Sequence, residues 1–160
     1  MTAQVGRTMS DLVIEPLELM HLPDVLRIER DHFPAPWTEV MFLQEVEEKW
    51  LSRSYVGSID REVVGYIVAW LMRDEVHILN LAVARAFQRR GFARRLLLYM
   101  IDVATREKCR LITLEVRVSN TPAKLLYHSM GFAPVGIRRH YYHDNNEDAL
   151  VMTRRLEVSP

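Results

Sequence analysis

The sequence has a single cysteine, Cys109, so an internal disulfide framework is excluded, as suits a reducing compartment such as the cytoplasm. No apolar run approaches the ~20 residues needed to cross a bilayer, and the first residues, MTAQVGRTMSD, lack the apolar stretch of a signal peptide. A membrane role is therefore not expected. Net charge is missing too, because 21 Lys and Arg balance 21 Asp and Glu. A general nucleic-acid coat needs a basic surface, so a direct nucleic-acid partner is not expected either. Glycine is scarce, with six among 160 residues. Neither a Walker phosphate loop nor the three-glycine dinucleotide fingerprint can be assembled from them. His140, His143 and Asp144 lie close in sequence but complete no metal-ligand set, so no metal is expected.

What is present fits one globular domain of ordinary composition. Residues 1–10 are small and polar and read as a flexible tail; 11–160 read as the folded domain. Leu12–Ile14 forms a short strand. Pro23 and Asp24 open a helix through about Arg30, with Leu22, Val25, Leu26 and Ile28 inward. The proline-stiffened segment His32-Phe33-Pro34-Ala35-Pro36-Trp37 follows, with Phe33 and Trp37 either core or substrate-contacting. Thr38 then caps a helix to about Glu48 that buries Met41, Phe42 and Val46. Strands over 55–59, 63–72 and 76–83 are linked by tight turns, and a helix from Phe92 to about Lys108 crosses over to a strand at 111–116. Thr121 caps a short helix with Pro122 at its first position, and Gly131 ends it. A strand from Phe132 to Tyr142 and a last one over 149–153 close the chain. The fold class is α/β: one mixed twisted sheet with helices on both faces.

Chemistry concentrates in two places. Val76–Leu98, VHILNLAVARAFQRRGFARRLLL, reads as strand, loop and helix. Arg85, Arg89, Arg90, Arg94 and Arg95 fall within eleven residues that contain no acid. Free backbone N–H groups at a helix start, with a glycine to allow close approach, make a phosphate cradle. Further on, Glu115 stands at the carboxyl end of an otherwise apolar strand, and Tyr127 on the next helix. Ligands of parallel strands bind outside those ends. Glu115 is either ion-paired, with Arg117 or Arg139, or a base in a cleft. Tyr127 is either a satisfied core group or an acid aimed at the same crevice.

Gln88-Arg89-Arg90-Gly91-Phe92-Ala93 on its strand and helix resembles the acyl-CoA signature of the GNAT acetyltransferases. Leu114-Glu115-Val116-Arg117, Ser119-Asn120, Ala123, Leu126-Tyr127 and Gly131-Phe132 continue the likeness. Pro36-Trp37-Thr38, Ile137 to Tyr142 and Glu147-Asp148-Ala149 narrow it to the RimI type, which acetylates the N-terminal alanine of a small-subunit ribosomal protein. The resemblance spans roughly 12–156 and departs at Ala93, where a glycine is usual. It implies a single GNAT-like domain with a splayed parallel strand pair, using acetyl-CoA as acetyl donor and a protein N-terminus as partner. It implies that Leu81, Ala82, Val83, Gln88, Arg89, Arg90, Gly91, Phe92, Ala93, Arg94 and Asn120 hold acetyl-CoA, with Glu115 as proton acceptor and Tyr127 as proton donor. Trp37, Arg139, Tyr141 and Tyr142 are the candidates for the substrate groove, with Arg138 beside them; the alternative for Arg138, Arg139, Tyr141 and Tyr142 is a strand edge with alternating polar residues. A peptide α-amine, with a pKa of about 8, needs less help than a lysine amine at about 10.4, which favours the α-amine for a single carboxylate. The alternatives are a GNAT enzyme acting on lysine or a small amine such as a polyamine or antibiotic, or a non-catalytic acyl-CoA sensor.

Overall fold

The computed structural model describes residues 11–157. The expected tail at 1–10, and 158–160, lie outside the described residues. In chain order the elements are β1 (Val13–Pro16), α1 (Leu22–His32), α2 (Glu39–Glu47), β2 (Tyr55–Ile59), β3 (Glu62–Met72), β4 (Glu75–Val83), α3 (Phe92–Arg106), β5 (Leu111–Arg117), α4 (Thr121–Ser129), β6 (Ala133–Tyr142) and β7 (Glu147–Arg155). One seven-stranded sheet runs β1-β2-β3-β4-β5-β7-β6. Its neighbours are antiparallel except β4 and β5, which α3 joins in parallel.

The apolar periodicities decide which helix covers which face. Phe92, Leu96, Leu97, Met100, Ile101 and Ala104 recur at helical spacing along α3 and are buried against Val64, Ile67, Ala69, Val76, Ile78, Ile112 and Leu114. Tyr127 and Phe132, from α4 and the residues after it, join this cluster. On the opposite face α1 and α2 bury Leu22, Val25, Ile28 and Phe42 against Val56, Val63, Tyr66, Val68 and Ala82. Successive β3 residues alternate between the two clusters, as a pleated strand requires. Helices thus lie on both faces of the mixed sheet, as the periodicity predicts.

Two expectations change in detail. Met41 is exposed at 39%, and Glu45 takes the inward position beside Phe42. The α4 cap shifts by one residue: Asn120, not Thr121, accepts from the Ala123 N–H at 3.2 Å, and Pro122 sits second in the helix. Both residues are good caps, and Asn outranks Thr. Thr38 caps α2 through the Met41 N–H at 3.4 Å, and Gly131 follows α4 with a φ of +87° that favours glycine.

Candidate active site

The site is made by an opening in the sheet. β4 and β5 pair from Glu75↔Leu111 to Ile78↔Leu114 and no further, although β4 runs on to Val83 and β5 to Arg117. At the same point the β3 register skips Leu79, passing from Val68↔Asn80 to Ala69↔Ile78. This bulge flips the pleat. Ile78 packs on the α3 side, Leu79 on the α1 side, and Asn80 bonds to α1, before Leu81 and Val83 return to the α3 side. Close packing of β3 on β4 just beyond depends on Gly65, where an added Cβ would come 2.9 Å from the Ala82 carbonyl oxygen.

A cleft of about 620 Å³ fills the opening and draws walls from both faces of the sheet. Glu29 and Trp37 come from the α1 side; Asn120 and Tyr127 come from α4 and its cap. Leu79–Leu81, Glu115, Tyr141 and Tyr142 complete the part that matters for chemistry. A second hollow of about 290 Å³ lies at the start of α3, lined by Val83, Gln88, Arg89, Gly91, Phe92, Ala93 and Arg94 among others. Gly91 has a φ of 79°, and among the described residues no side chain caps α3. The first N–H groups of that helix are therefore left for an anion.

Glu115 has a side chain only 7% exposed. His77 Nε2 lies 2.5 Å from one oxygen, and Arg138 Nε lies 3.1 Å from the other. Burial alone would raise its pKa, but the hydrogen bonds and charges of His77 and Arg138 outweigh it and hold the carboxyl below its ordinary value. The ion partners proposed from sequence are not the ones used. Arg117 is bound to Asp144 at 2.9 Å and Glu147 at 3.4 Å, and its guanidinium lies 3.9 Å over the Tyr142 ring. Arg139 lines neither cavity. It neighbours Arg138 on a strand, where side chains alternate faces, so one arginine reaching Glu115 turns the next away.

Tyr127 is 9% exposed. Burial, and to a lesser degree Tyr142, raises its pKa well above the usual tyrosine value, so it keeps its proton at neutral pH. The Tyr142 hydroxyl is pushed up to about 12, mainly by burial, with Arg117 opposing.

The other expected residues divide. Leu81 and Asn120 line the cleft, and Val83, Arg89, Gly91, Phe92, Ala93 and Arg94 line the hollow. Ala82 is buried under α1, so only its backbone could meet a ligand. Arg90 lies over the Phe87 ring at 5.6 Å, outside the hollow. The Gln88 amide borders the hollow but is spent on the Val83 carbonyl at 3.0 Å and His32 Nε2 at 2.7 Å. Trp37, Tyr141 and Tyr142 all reach the cleft. Cys109 packs in the core at 1% exposure. Among the described residues no His, Cys, Asp or Glu group is arranged to hold a metal, and no helix is long and apolar enough to cross a membrane.

Sequence reasoning missed His77, Asn80 and Glu29. Each is a polar residue interrupting an apolar strand or helix face, which is the signal that could have found them. Asn80 Nδ2 donates to Glu29 at 2.7 Å, inside the cleft wall.

Comparison with known proteins agrees with this geometry. The acetyltransferase (GNAT) family matches residues 22–132. A putative [ribosomal protein bS18]-alanine N-acetyltransferase of Bacillus subtilis is 34% identical over 139 residues, covering 87% of this chain and 92% of that protein. The [ribosomal protein bS18]-alanine N-acetyltransferase of Escherichia coli K12 is 34% identical over 147 residues, covering 91% and 98%. The crystal structure of the ribosomal-protein-S18-alanine N-acetyltransferase from Escherichia coli superposes with a TM-score of 0.85 at 31% identity, over 93% of this chain and 96% of that one.

Proposed function

Since this chain belongs to the acetyltransferase (GNAT) family, we propose that it acetylates the N-terminal α-amine of a protein, the alanine of ribosomal protein bS18 being the first candidate. The relatives matched over nearly their whole length support that substrate. Acetyl-CoA supplies an activated acetyl thioester. The hollow at α3, with its uncapped N–H groups, Arg89 and Arg94, suits the pyrophosphate of that molecule. The edge of β4 beyond Ile78, which has no β5 partner, suits an extended arm leading into the cleft.

The observation that carries the reading is the strand opening, which brings a carboxyl held below its ordinary pKa and a tyrosine held above it to one cleft. Pairs of groups pushed apart in this way are suited to acid–base roles. Glu115 takes the proton of the ammonium, directly or through a water, as the amine attacks. His77 and Arg138 keep it charged and aimed. As the carbon–sulfur bond breaks, Tyr127 gives its proton to the departing sulfur, and the second proton shed by the nitrogen restores the tyrosine. Trp37, Tyr141 and Tyr142 border the path of the incoming N-terminus.

The test incubates the protein with acetyl-CoA and peptides beginning with Ala, Ser, Met or Gly, beside a blocked peptide whose only amine is a lysine. Acetyl transfer to the Ala peptide is expected; acetylation confined to the blocked peptide overturns the proposal.

A further inference from the structure

The cleft contains one charge that the acid–base pair does not use. Glu29, on α1, is 1% exposed and still lines the cavity. Three donors converge on it: the Tyr66 hydroxyl and Asn80 Nδ2 at 2.7 Å on one oxygen, and the Trp37 backbone N–H at 3.0 Å on the other. All three are neutral. Among the described residues no Lys, Arg or His comes within ion-pair distance of it. The other acids of the cleft differ in this respect. Glu115 faces Arg138 and His77, and Asp144 faces Arg117. Among the described residues, the cleft carboxylate without a cationic partner is therefore that of Glu29.

We propose that Glu29 is a substrate-positioning residue with two coupled tasks: it holds the Phe33–Trp37 segment as a wall of the cleft, and its buried, cation-free charge selects an acceptor that arrives as an ammonium. This rests on the amine-acetylation reading above and deepens it. Position follows from the Trp37 N–H, since that contact closes the loop back onto the helix eight residues earlier. Selection follows from charge. Low-dielectric walls weaken screening, so an unpaired carboxylate attracts a cation across a cleft without touching it. Because the three donors occupy the carboxylate, it stays in place as a fixed field. That separates it from Glu115, which accepts the proton.

The experiment measures equilibrium binding of an Ala-start peptide and of its isostere with a hydroxyl in place of the α-amine, both to CoA-loaded protein. Wild type is expected to prefer the ammonium at least tenfold. Glu29→Gln reduces the preference to within twofold, whereas Glu115→Gln retains it while losing turnover. A Glu29→Gln protein that keeps the tenfold preference, a Glu115→Gln protein that loses it, or a wild type without one overturns the proposal. If Glu29→Gln does not fold, Tyr66→Phe and Asn80→Ala each remove a donor and leave the charge. They must weaken both ligands alike and keep the preference; losing it overturns the proposal. Should wild type acetylate only the blocked lysine peptide, the α-amine reading falls, and the same ratio measured with that peptide and its hydroxyl isostere decides the role of Glu29.

Discussion

Replacing three glycines by alanine, one at a time, tests the close approach that shapes the end of β4. A methyl at Gly65 would come 2.9 Å from the Ala82 carbonyl oxygen and 3.2 Å from both Leu96 Cδ1 and Val83 Cγ2. The first contact is with backbone of the paired strand, which cannot rotate aside, so β3 and β4 must part by several tenths of an ångström. Overpacking of this kind costs roughly 1–3 kcal/mol. For a domain of this size that lowers Tm by about 2–12 °C. At Gly57 the nearest atom, Leu12 Cδ1 at 3.1 Å, ends a side chain that can swing away, and the cost is about 1 kcal/mol or less. At exposed Gly136 nothing lies within 4 Å, and the change stays within about 0.5 kcal/mol either way. Gly65→Ala should also weaken acetyl-CoA binding, because Val83, its register partner, lines the hollow at α3. The assays are thermal and urea unfolding with a check that m is unchanged, and calorimetric binding of acetyl-CoA. A Gly65→Ala protein melting within about 1 °C of wild type, or above Gly136→Ala, refutes the argument.

Two further outcomes follow from the site. Glu115 is held down by His77 and Arg138 against the opposing effect of burial. On the proposed reading Glu115 is the base and acts only when charged, so kcat should fall as pH drops through its depressed pKa. Arg138→Ala removes one of the lowering influences, and the acid limb of the kcat–pH profile should move to higher pH; a limb that stays put or moves down contradicts the assignment. Arg117→Ala frees Asp144 and Glu147 and uncovers the Tyr142 ring. Steady-state kinetics should give a KM for the acceptor peptide raised several-fold and a KM for acetyl-CoA little changed, whereas equal changes in both would count against a substrate-side role.

How far the sequence could be read depended on the range of the interaction. Helical spacing in α3 is local and was legible with its buried face; β3 was legible as a strand, but which of its residues meet which core depends on the helices packed on either side. Gly131 and Thr38 were legible because caps are local chemistry. The cap of α4 was displaced by one residue because Asn120 and Thr121 both carry suitable oxygens. The partners of Glu115 were out of reach for another reason. His77 meets it only through the parallel register His77↔Thr113, and Arg138 only across β7, where Glu115↔Val151 and Val151↔Gly136 set the offset. Proximity in sequence pointed to Arg117 instead. Glu29 was hidden in a further way. A carboxylate on the inner face of α1 is disfavoured by composition alone, and Tyr66, Asn80 and the Trp37 N–H make it stable there only after three distant segments have met.

The four-pair ladder between β4 and β5 also describes the molecule as a textile with a seam. One leaf is the meander β1–β4 with α1 and α2; the other is β5, β7 and β6 with α4. Within each leaf neighbouring strands are stitched along most of their length, but among the described residues only Glu75–Ile78 and Leu111–Leu114 sew the leaves together within the sheet. A ligand seated in the opening would lie between Leu79–Leu81, which line it from one leaf, and Glu115 and Tyr127, which line it from the other. It adds thread where there is least, so occupancy and cohesion rise together. The amides flanking the opening should accordingly be where bound ligand slows hydrogen exchange most.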